Sequence, residues 1–324
     1  MHVVIGVDIG GTSIKAIVAG RDGVPRARFD RPTPVADGVD AVVEAIVETA
    51  ARLRDAAGAD AVPVGVGLVM PGVVDGAAGV ARWSANIGWR ELPIQRLVAD
   101  RLGLPVRIEH DVRGAALAEV SSGAARGVRE VLFVSIGTGL AGALITGGTV
   151  VHGAAGLAGE IGHVPAFPGG DPCTCGQRGC AEAYASAASV ARRYARLSGG
   201  AAVPAEIVVA RAADGDAHAR TVLDDAVAAL TRVVLGVVLL ADPELVVLAG
   251  GMAGAGAALT EPLTEGLVGA LLWRAPPSVV VSGLGADAGA RGAALLGWRA
   301  ADDVPPTRRE GLHPQTGLDL STKV

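Results

Sequence analysis

Residues 3–12 read VVIGVDIGGT. Residues 3–9 are mostly β-branched, the composition of a strand buried on both faces, and Gly10-Gly11-Thr12 turns the chain into a second apolar run over residues 14–19. A hairpin with a glycine tip is expected. Glycine has no side chain to keep an anion away from the backbone amides, so Gly10 and Gly11 suit phosphate oxygens, and Thr12 adds a hydroxyl. Asp8 stands just before the turn, where a carboxylate can hold the magnesium of a nucleotide directly or through water. Neither G-x-x-x-x-G-K-[ST] nor G-x-G-x-x-G is present, and most lone glycine hairpins are only structural. The stretch gains meaning from its echo, because residues 131–139, VLFVSIGTG, repeat the pattern of residues 4–12, VIGVDIGGT, and an apolar run again follows. The chain reads as a duplication.

Between the hairpins helical and extended segments alternate, which predicts an α/β architecture with a sheet covered on both faces. Asp37 can cap a helix reaching residue 57, with Val39, Val42, Val43, Ile46, Val47, Ala50 and Leu53 toward the core. Residues 62–69 predict a strand running into the turn Met70-Pro71-Gly72. Residues 105–109 predict another, with His110 and Asp111 at its end, before an Ala-rich helix over 112–125. Strand ends are where open α/β sheets place ligands, although by composition alone Asp111 reads first as a helix cap. Residues 84–89 are too short and mixed for an element, and the Asn86 amide there can bond two hydroxyls at once. Residues 181–197 and 217–240 predict helices, the longer one apolar on nearly every face and so buried in the core or between subunits. Two more strands are expected at 245–248 and 279–282, with Gly250-Gly251 opening a helix after the first, and a last helix at 288–299.

All three cysteines fall within residues 159–182, GEIGHVPAFPGGDPCTCGQRGCAE. Cys173, Cys175 and Cys180 with His163 make up the ligand set of a closed tetrahedral zinc site, and Gly176 and Gly179 let the backbone wrap until the sulfurs converge. A closed shell has no open position, so the zinc should be structural. Glu160 and Glu182 bracket the ligands and must serve something else.

The spacings E-x-G-H at 160–163 and C-x-C-G-x-x-G-C-x-E at 173–182 resemble the signature of the ROK family (repressors, open reading frames, kinases). With the hairpins in order, the resemblance spans about residues 3–299. It implies a duplicated actin-like ATPase (ribonuclease H-like) α/β fold, with two domains around a cleft. The small domain would be residues 1–110 plus 291–301, and the large one 111–290 with a zinc-binding insertion at 160–182. It also implies an ATP-dependent sugar kinase acting on the 6-hydroxyl of glucose or a glucose-like compound, with ATP, Mg2+ and structural Zn2+. On that resemblance Asp111 is the base, and Gly72, Asn86, His110, Asp111, Glu160, His163 and Glu182 hold the sugar. Asp8, Gly10, Gly11, Thr12, Lys15, Gly137, Thr138, Gly139, Gly250 and Gly251 meet the nucleotide, and His163, Cys173, Cys175 and Cys180 bind zinc. His163 then has two duties, one ring nitrogen on the metal and the other toward a hydroxyl. The family usually carries asparagine where His110 stands, which leaves the acceptor open between glucose and an amino sugar, N-acetylhexosamine or cyclitol. The family's transcription regulators place a DNA-binding domain ahead of this body, whereas here only Met1 and His2 precede the first strand, which favours the kinase.

Composition agrees with these expectations. The chain has 324 residues, half of them apolar, enough for two cores. A net charge of −5 with mixed signs argues against nucleic acid as a main partner. The start has no basic leader before an apolar core, and the longest apolar run, 226–241, is interrupted by Thr231 and Arg232 and too short for a bilayer. Three clustered thiols suit a reducing cytoplasm. The expectation is a cytoplasmic protein without membrane or nucleic-acid partners, a homodimer or homotetramer with a small-molecule sugar substrate. Residues 302–324 are polar, proline-containing and aperiodic, and should be disordered.

Overall fold

The opening hairpin and its echo become the leading strands of two sheets with the same connectivity. In the computed structural model, which describes residues 1–58 and 60–303, the first sheet begins with β1 (His2–Ile9), β2 (Ser13–Ala19), β3 (Pro25–Pro32) and β4 (Val62–Met70). A small antiparallel sheet of β5 (Val73–Asp75), β6 (Val80–Trp83) and β7 (Arg90–Leu92) intervenes before β8 (Val106–His110). The first sheet has the order β3-β2-β1-β4-β8. The second, ordered β11-β10-β9-β12-β13, is built from β9 (Val131–Ile136), β10 (Leu140–Thr146), β11 (Thr149–Val150), β12 (Leu245–Ala249) and β13 (Ser278–Val281). In each sheet the first strand pairs antiparallel with the second and parallel with the fourth. This is the duplicated α/β fold of the actin-like ATPases.

β1 is buried on both faces, as its composition requires. Val3, Ile5, Val7 and Ile9 pack with α1 (Val39–Ala56) and α2 (Ile94–Leu102), while Val4 faces the last helix. The chain passes from the first sheet to the second through α3 (Asp111–Ser122). Four helices fill the excursion between β11 and β12: α4 (Glu182–Ala185), α5 (Ala187–Ser198), α6 (Ala205–Ala213) and α7 (Ala217–Ala241). After α8 (Ala257–Ala270) and β13, α9 (Ala288–Asp302) returns to the first sheet. It can settle onto β4 because residue 67 is glycine, where a Cβ would lie 1.8 Å from the Ala293 carbonyl oxygen. The two crossing helices meet just as closely, since a Cβ on Gly292 would lie 2.0 Å from the carbonyl oxygen of Gly114. Buried Glu119 of α3 accepts from the amides of Ala124, Gly283 and Leu284, which ties α3 to the loop after β13.

Several boundaries differ from the sequence expectation. α1 is capped by Gly38, not Asp37, because the chain enters the helix at φ 93°, a value open to glycine, and Asp37 instead closes a short 3-10 turn. The single helix expected over 181–197 is two, broken where Ser186 becomes extended and its Oγ accepts from Ser189 N to cap the second. α7 buries one face, through residues such as Val222, Leu230 and Val234, but leaves Leu239 and Leu240 exposed, so a helix apolar all round is covered by its own chain on one side only. Gly250-Gly251 opens a 3-10 turn, Gly251–Ala255, and α8 starts only at Ala257. Asp302 belongs to α9, and the disorder expected for the tail concerns residues 304–324, which lie outside the described residues. No helix among the described residues is long and apolar enough to cross a membrane.

Candidate active site

β1 ends by presenting Asp8, opposite Lys15 in the hairpin register. The Asp8 carboxyl is nevertheless raised to about 7, first by burial and next by the charge of Asp111, with Lys15 opposing. A carboxylate in that position is relieved by a cation, so Asp8 suits a magnesium ion. Space for it depends on glycine at the start of α9, since a Cβ on Gly289 would lie 2.3 Å from Asp8 Oδ2. The Gly10-Gly11-Thr12 tip is closed by Gly10 N donating to Ser13 O at 2.9 Å. Thr33 pins it, donating from Oγ1 to Gly10 O at 2.6 Å and from its amide to Thr12 O at 3.1 Å. At the second tip, Gly137-Thr138-Gly139, Gly137 N donates to Gly139 O and Gly137 O accepts from Ala187 N at the start of α5. A Cβ at Gly137 would meet only open space, which leaves room beside its backbone for a phosphate. Gly250, at φ 86°, presses on Ile136 at the end of β9, and Gly251 lies near Glu206 of α6.

The sugar candidates approach from the first sheet's side. A Cβ on Gly11 would sit 3.4 Å from Asn86 Cβ, and one on Gly72 only 2.1 Å from the Trp83 carbonyl oxygen, so the Pro71-Gly72 turn nests against the segment leading to Asn86. Met70 pairs in register with His110, which brings the end of β8 beside that turn. His110 is the N-cap of α3 and Asp111 its first residue, so the cap reading of Asp111 is displaced by one position. His110 Nδ1 and Asp111 Oδ1 both accept from Val112 N, at 3.2 and 2.7 Å. His110 Nδ1 also lies 3.2 Å from Asp111 Oδ1, so this side of the ring is engaged by the turn and Nε2 is the nitrogen left for a ligand.

Residues not singled out in the sequence hold this corner. Buried Glu109 accepts from His110 N at 2.8 Å and from Arg113 Nε at 2.7 Å, and bonds His152 Nε2 at 2.7 Å. Burial alone would raise its carboxyl, but the Arg113 guanidinium and these hydrogen bonds hold it below the ordinary carboxylate value. Arg113 also donates to the carbonyl of Gly156, so the loop leading to Glu160 is fastened to the helix that begins at Asp111. The only sequence signal was an acidic residue inside the strand VRIEH, four positions before an arginine.

Glu160 and His163 are held against β10, because Gly159 and Gly162 let the chain close to 2.0 Å, measured from an added Cβ, on the carbonyls of Gly142 and Leu140. The ligand atoms of His163, Cys173, Cys175 and Cys180 lie within 4.8 Å of one another. Cys173 Sγ is 3.8 Å from His163 Nδ1, and Cys175 Sγ is 3.7 Å from Cys180 Sγ. A tetrahedron with metal–sulfur bonds of about 2.3 Å has edges of about 3.8 Å, so the donors fit zinc. The Cys180 thiol is pushed up to about 12, first by burial and then by neighbouring sulfurs, and a thiolate-binding cation would relieve it. His163 turns its other nitrogen, Nε2, toward Glu160, 3.9 Å from Oε2. Glu182 opens α4, and its Oε2 accepts from Leu140 N at 3.0 Å, linking the cysteine segment to the second hairpin. Arg193 docks that segment on α5 and α7 by stacking on Tyr184 at 4.3 Å and bonding Asp171 and Asp225.

A profile of the ROK family matches residues 4–300. The glucokinase of Thermotoga maritima is 35% identical over 309 residues, covering 90% of this chain and 96% of that one. An N-acetylmannosamine kinase of Escherichia coli is 32% identical over 301 residues, covering 90% and 97%. A solved ROK family glucokinase from Streptomyces griseus, in complex with glucose and AMPPNP, aligns with a TM-score of 0.80 at 30% identity, covering 92% of this chain and 99% of that one.

Proposed function

Because this chain belongs to the ROK family and is an ATP-dependent sugar phosphotransferase, we propose that it moves the γ-phosphoryl group of MgATP to the 6-hydroxyl of glucose. The observation that carries this reading is Asp111 at the end of β8, close enough to Asp8 for the charges to interact, beside the glycine tip of the first hairpin. Asp111 serves as base, orienting the hydroxyl and taking its proton late, since phosphoryl transfer is loose. Asp8 faces the magnesium, and the amides of Gly11 and Gly139, with Thr12, Thr138 and Lys15, meet the phosphates, while Gly10 and Gly137 close the two turns and leave their backbone open to them. Gly250 and Gly251 border the adenosine. Gly72, Asn86, His110, Glu160, Glu182 and His163 Nε2 hold the ring. Zinc held by His163 Nδ1, Cys173, Cys175 and Cys180 supplies no chemistry beyond fixing His163 and the flanking glutamates in place. Residues 1–110 with 291–301, and residues 111–290, form the two walls of the cleft.

A second acceptor class is favoured by one observation, the histidine at 110, whose Nε2 reaches farther than an asparagine amide. On that reading the sugar is a modified relative, such as an N-acetylhexosamine, an amino sugar or a cyclitol. A cytoplasmic location accords with the three free cysteines, and self-association as a homodimer or homotetramer accords with the exposed Leu240, Leu272 and Trp273. The test is an ATP-dependent kinase assay over glucose, mannose, their N-acetyl and amino relatives, and cyclitols. Glucose should give the highest kcat/KM. A modified sugar ahead of it by about tenfold, some 1.4 kcal/mol of transition-state binding, would establish the second reading instead.

A further inference from the structure

α3 carries Asp111 at one end, and at its other end, about 16 Å away by helix rise, lies a cavity of about 320 Å3. It opens between the two crossing helices and the β2–β3 turn, with Arg21 from the turn, Ser121 and Ser122 from α3, Arg126 just beyond, and Arg291 and Trp298 from α9. The charges around it do not cancel. Arg21 is bound by Asp302 and stacks on Trp298 at 4.3 Å. Asp22, the acid in the lining, is taken by Arg26 and the Val24 amide. Among the described residues no hydrogen bond or ion pair reaches the guanidinium of Arg126 or of Arg291, and Arg291 Nε is buried with no partner at all. Arg291 is half-buried and Arg126 exposed, so both guanidinium heads reach the cavity, and the buried Nε of Arg291 is a donor that nothing in the protein accepts.

We propose that this cavity binds a phosphate-bearing anion, either inorganic phosphate or a phosphate monoester of hexose-phosphate size. Two unpaired guanidinium forks match the several oxygens and double charge of a phosphate better than the two oxygens of a carboxylate. Ser121 and Ser122 add hydroxyls at the rim, and the volume is at the lower end of small-molecule pockets, roomier than a bare ion needs. The occupant is gripped from both helices by which the chain crosses between its sheets, remote from Asp111, and no step of the phosphoryl transfer uses it. The site stands whichever sugar the enzyme takes.

Calorimetric titration of the full-length protein with inorganic phosphate, and separately with glucose 6-phosphate, tests it. Wild type should bind one anion per chain at this site, and Arg291→Gln and Arg126→Gln should each weaken that binding at least about tenfold, the loss of a charge-assisted bidentate partner. The stronger ligand names the occupant, since equal affinity for both marks free phosphate and a tighter ester marks the ester. In phosphate-free buffer Arg291→Gln should melt no lower than wild type, because the lost group had no partner to lose. Arg126→Gln, an exposed change, keeps the test open should the Arg291 variant fold poorly. Absence of binding, or binding that both variants leave unchanged and that therefore lies at the glycine hairpins, would overturn the proposal.

Discussion

Asp8 at the end of β1 and Asp111 at the start of α3 share one electrostatic environment, and after burial the charge of Asp111 is the largest reason that the Asp8 carboxyl is raised from 3.8 to about 7. Two acids so placed, with Lys15 opposing, suit a divalent cation.

That relationship fixes a pH dependence. Below about pH 4 Asp8 is protonated folded or unfolded and contributes nothing. Between about pH 4 and 7 the unfolded chain ionises while the folded protein keeps its proton, so stability falls as pH rises through this window and stays lowered above it. Asp8→Asn removes the penalty. In magnesium-free buffer the variant should melt above wild type at pH 8, by about 2–4 °C for each kcal/mol relieved, and level with it near pH 4. A variant that melts lower at pH 8 would contradict the raised carboxyl.

The cysteine segment should carry about one zinc per chain on metal analysis, with no activity of its own. Cys175→Ser should lose the metal, lower the melting temperature and weaken sugar binding at least about tenfold, because Glu160, His163 and Glu182 are aimed by the same segment. Normal sugar binding by zinc-free protein would show that the metal positions nothing.

His110 should set what the ring may carry at its 3- and 4-positions. A site that hydrogen bonds one substituent rejects analogues lacking it at about 1–3 kcal/mol, so His110→Asn should shift relative kcat/KM toward plain glucose by roughly tenfold or more. Identical ratios across the sugar panel for both enzymes would make the histidine a neutral replacement.

Two glycines of α9 separate function from packing. The nearest neighbours of a Cβ on Gly289 are atoms of the Asp8 carboxylate, the far end of a side chain that can turn, so Gly289→Ala should leave the melting temperature nearly unchanged while kcat/KM for MgATP falls roughly tenfold to a hundredfold. A Cβ on Gly292 meets the backbone of Gly114, which cannot, so Gly292→Ala should cost about 1–3 kcal/mol or more of stability. The opposite pattern would mean that α9 supports Asp8 in some other way.

The sequence was most legible where chemistry leaves few choices. Residues 4–12 and their echo at 131–139 announced both sheets, since a two-sided apolar strand ending in glycine has little else to form, and the cysteine spacing announced that the three sulfurs and His163 converge. It was least legible where a contact comes from the far end of the chain. Gly289 looks like any helical glycine until Asp8, 281 positions earlier, is found against it. Glu109, Arg113 and His152 are ordinary polar residues until the fold closes them into one network. Local choices between near-equals also went astray, as Gly38 over Asp37 and the break at Ser186 show, because backbone angle decided them and composition does not report it.

The most direct measurement is steady-state turnover and sugar affinity of Asp111→Ala with glucose and MgATP. Removing the proposed proton acceptor should lower kcat by a hundredfold or more, about 10² to 10⁴, while glucose binding measured by calorimetry stays within a few fold of wild type, because the proposed ring contacts from Asn86, His110, Glu160, His163 and Glu182 are left in place. A variant that keeps more than about a tenth of the wild-type rate would contradict Asp111 as the base.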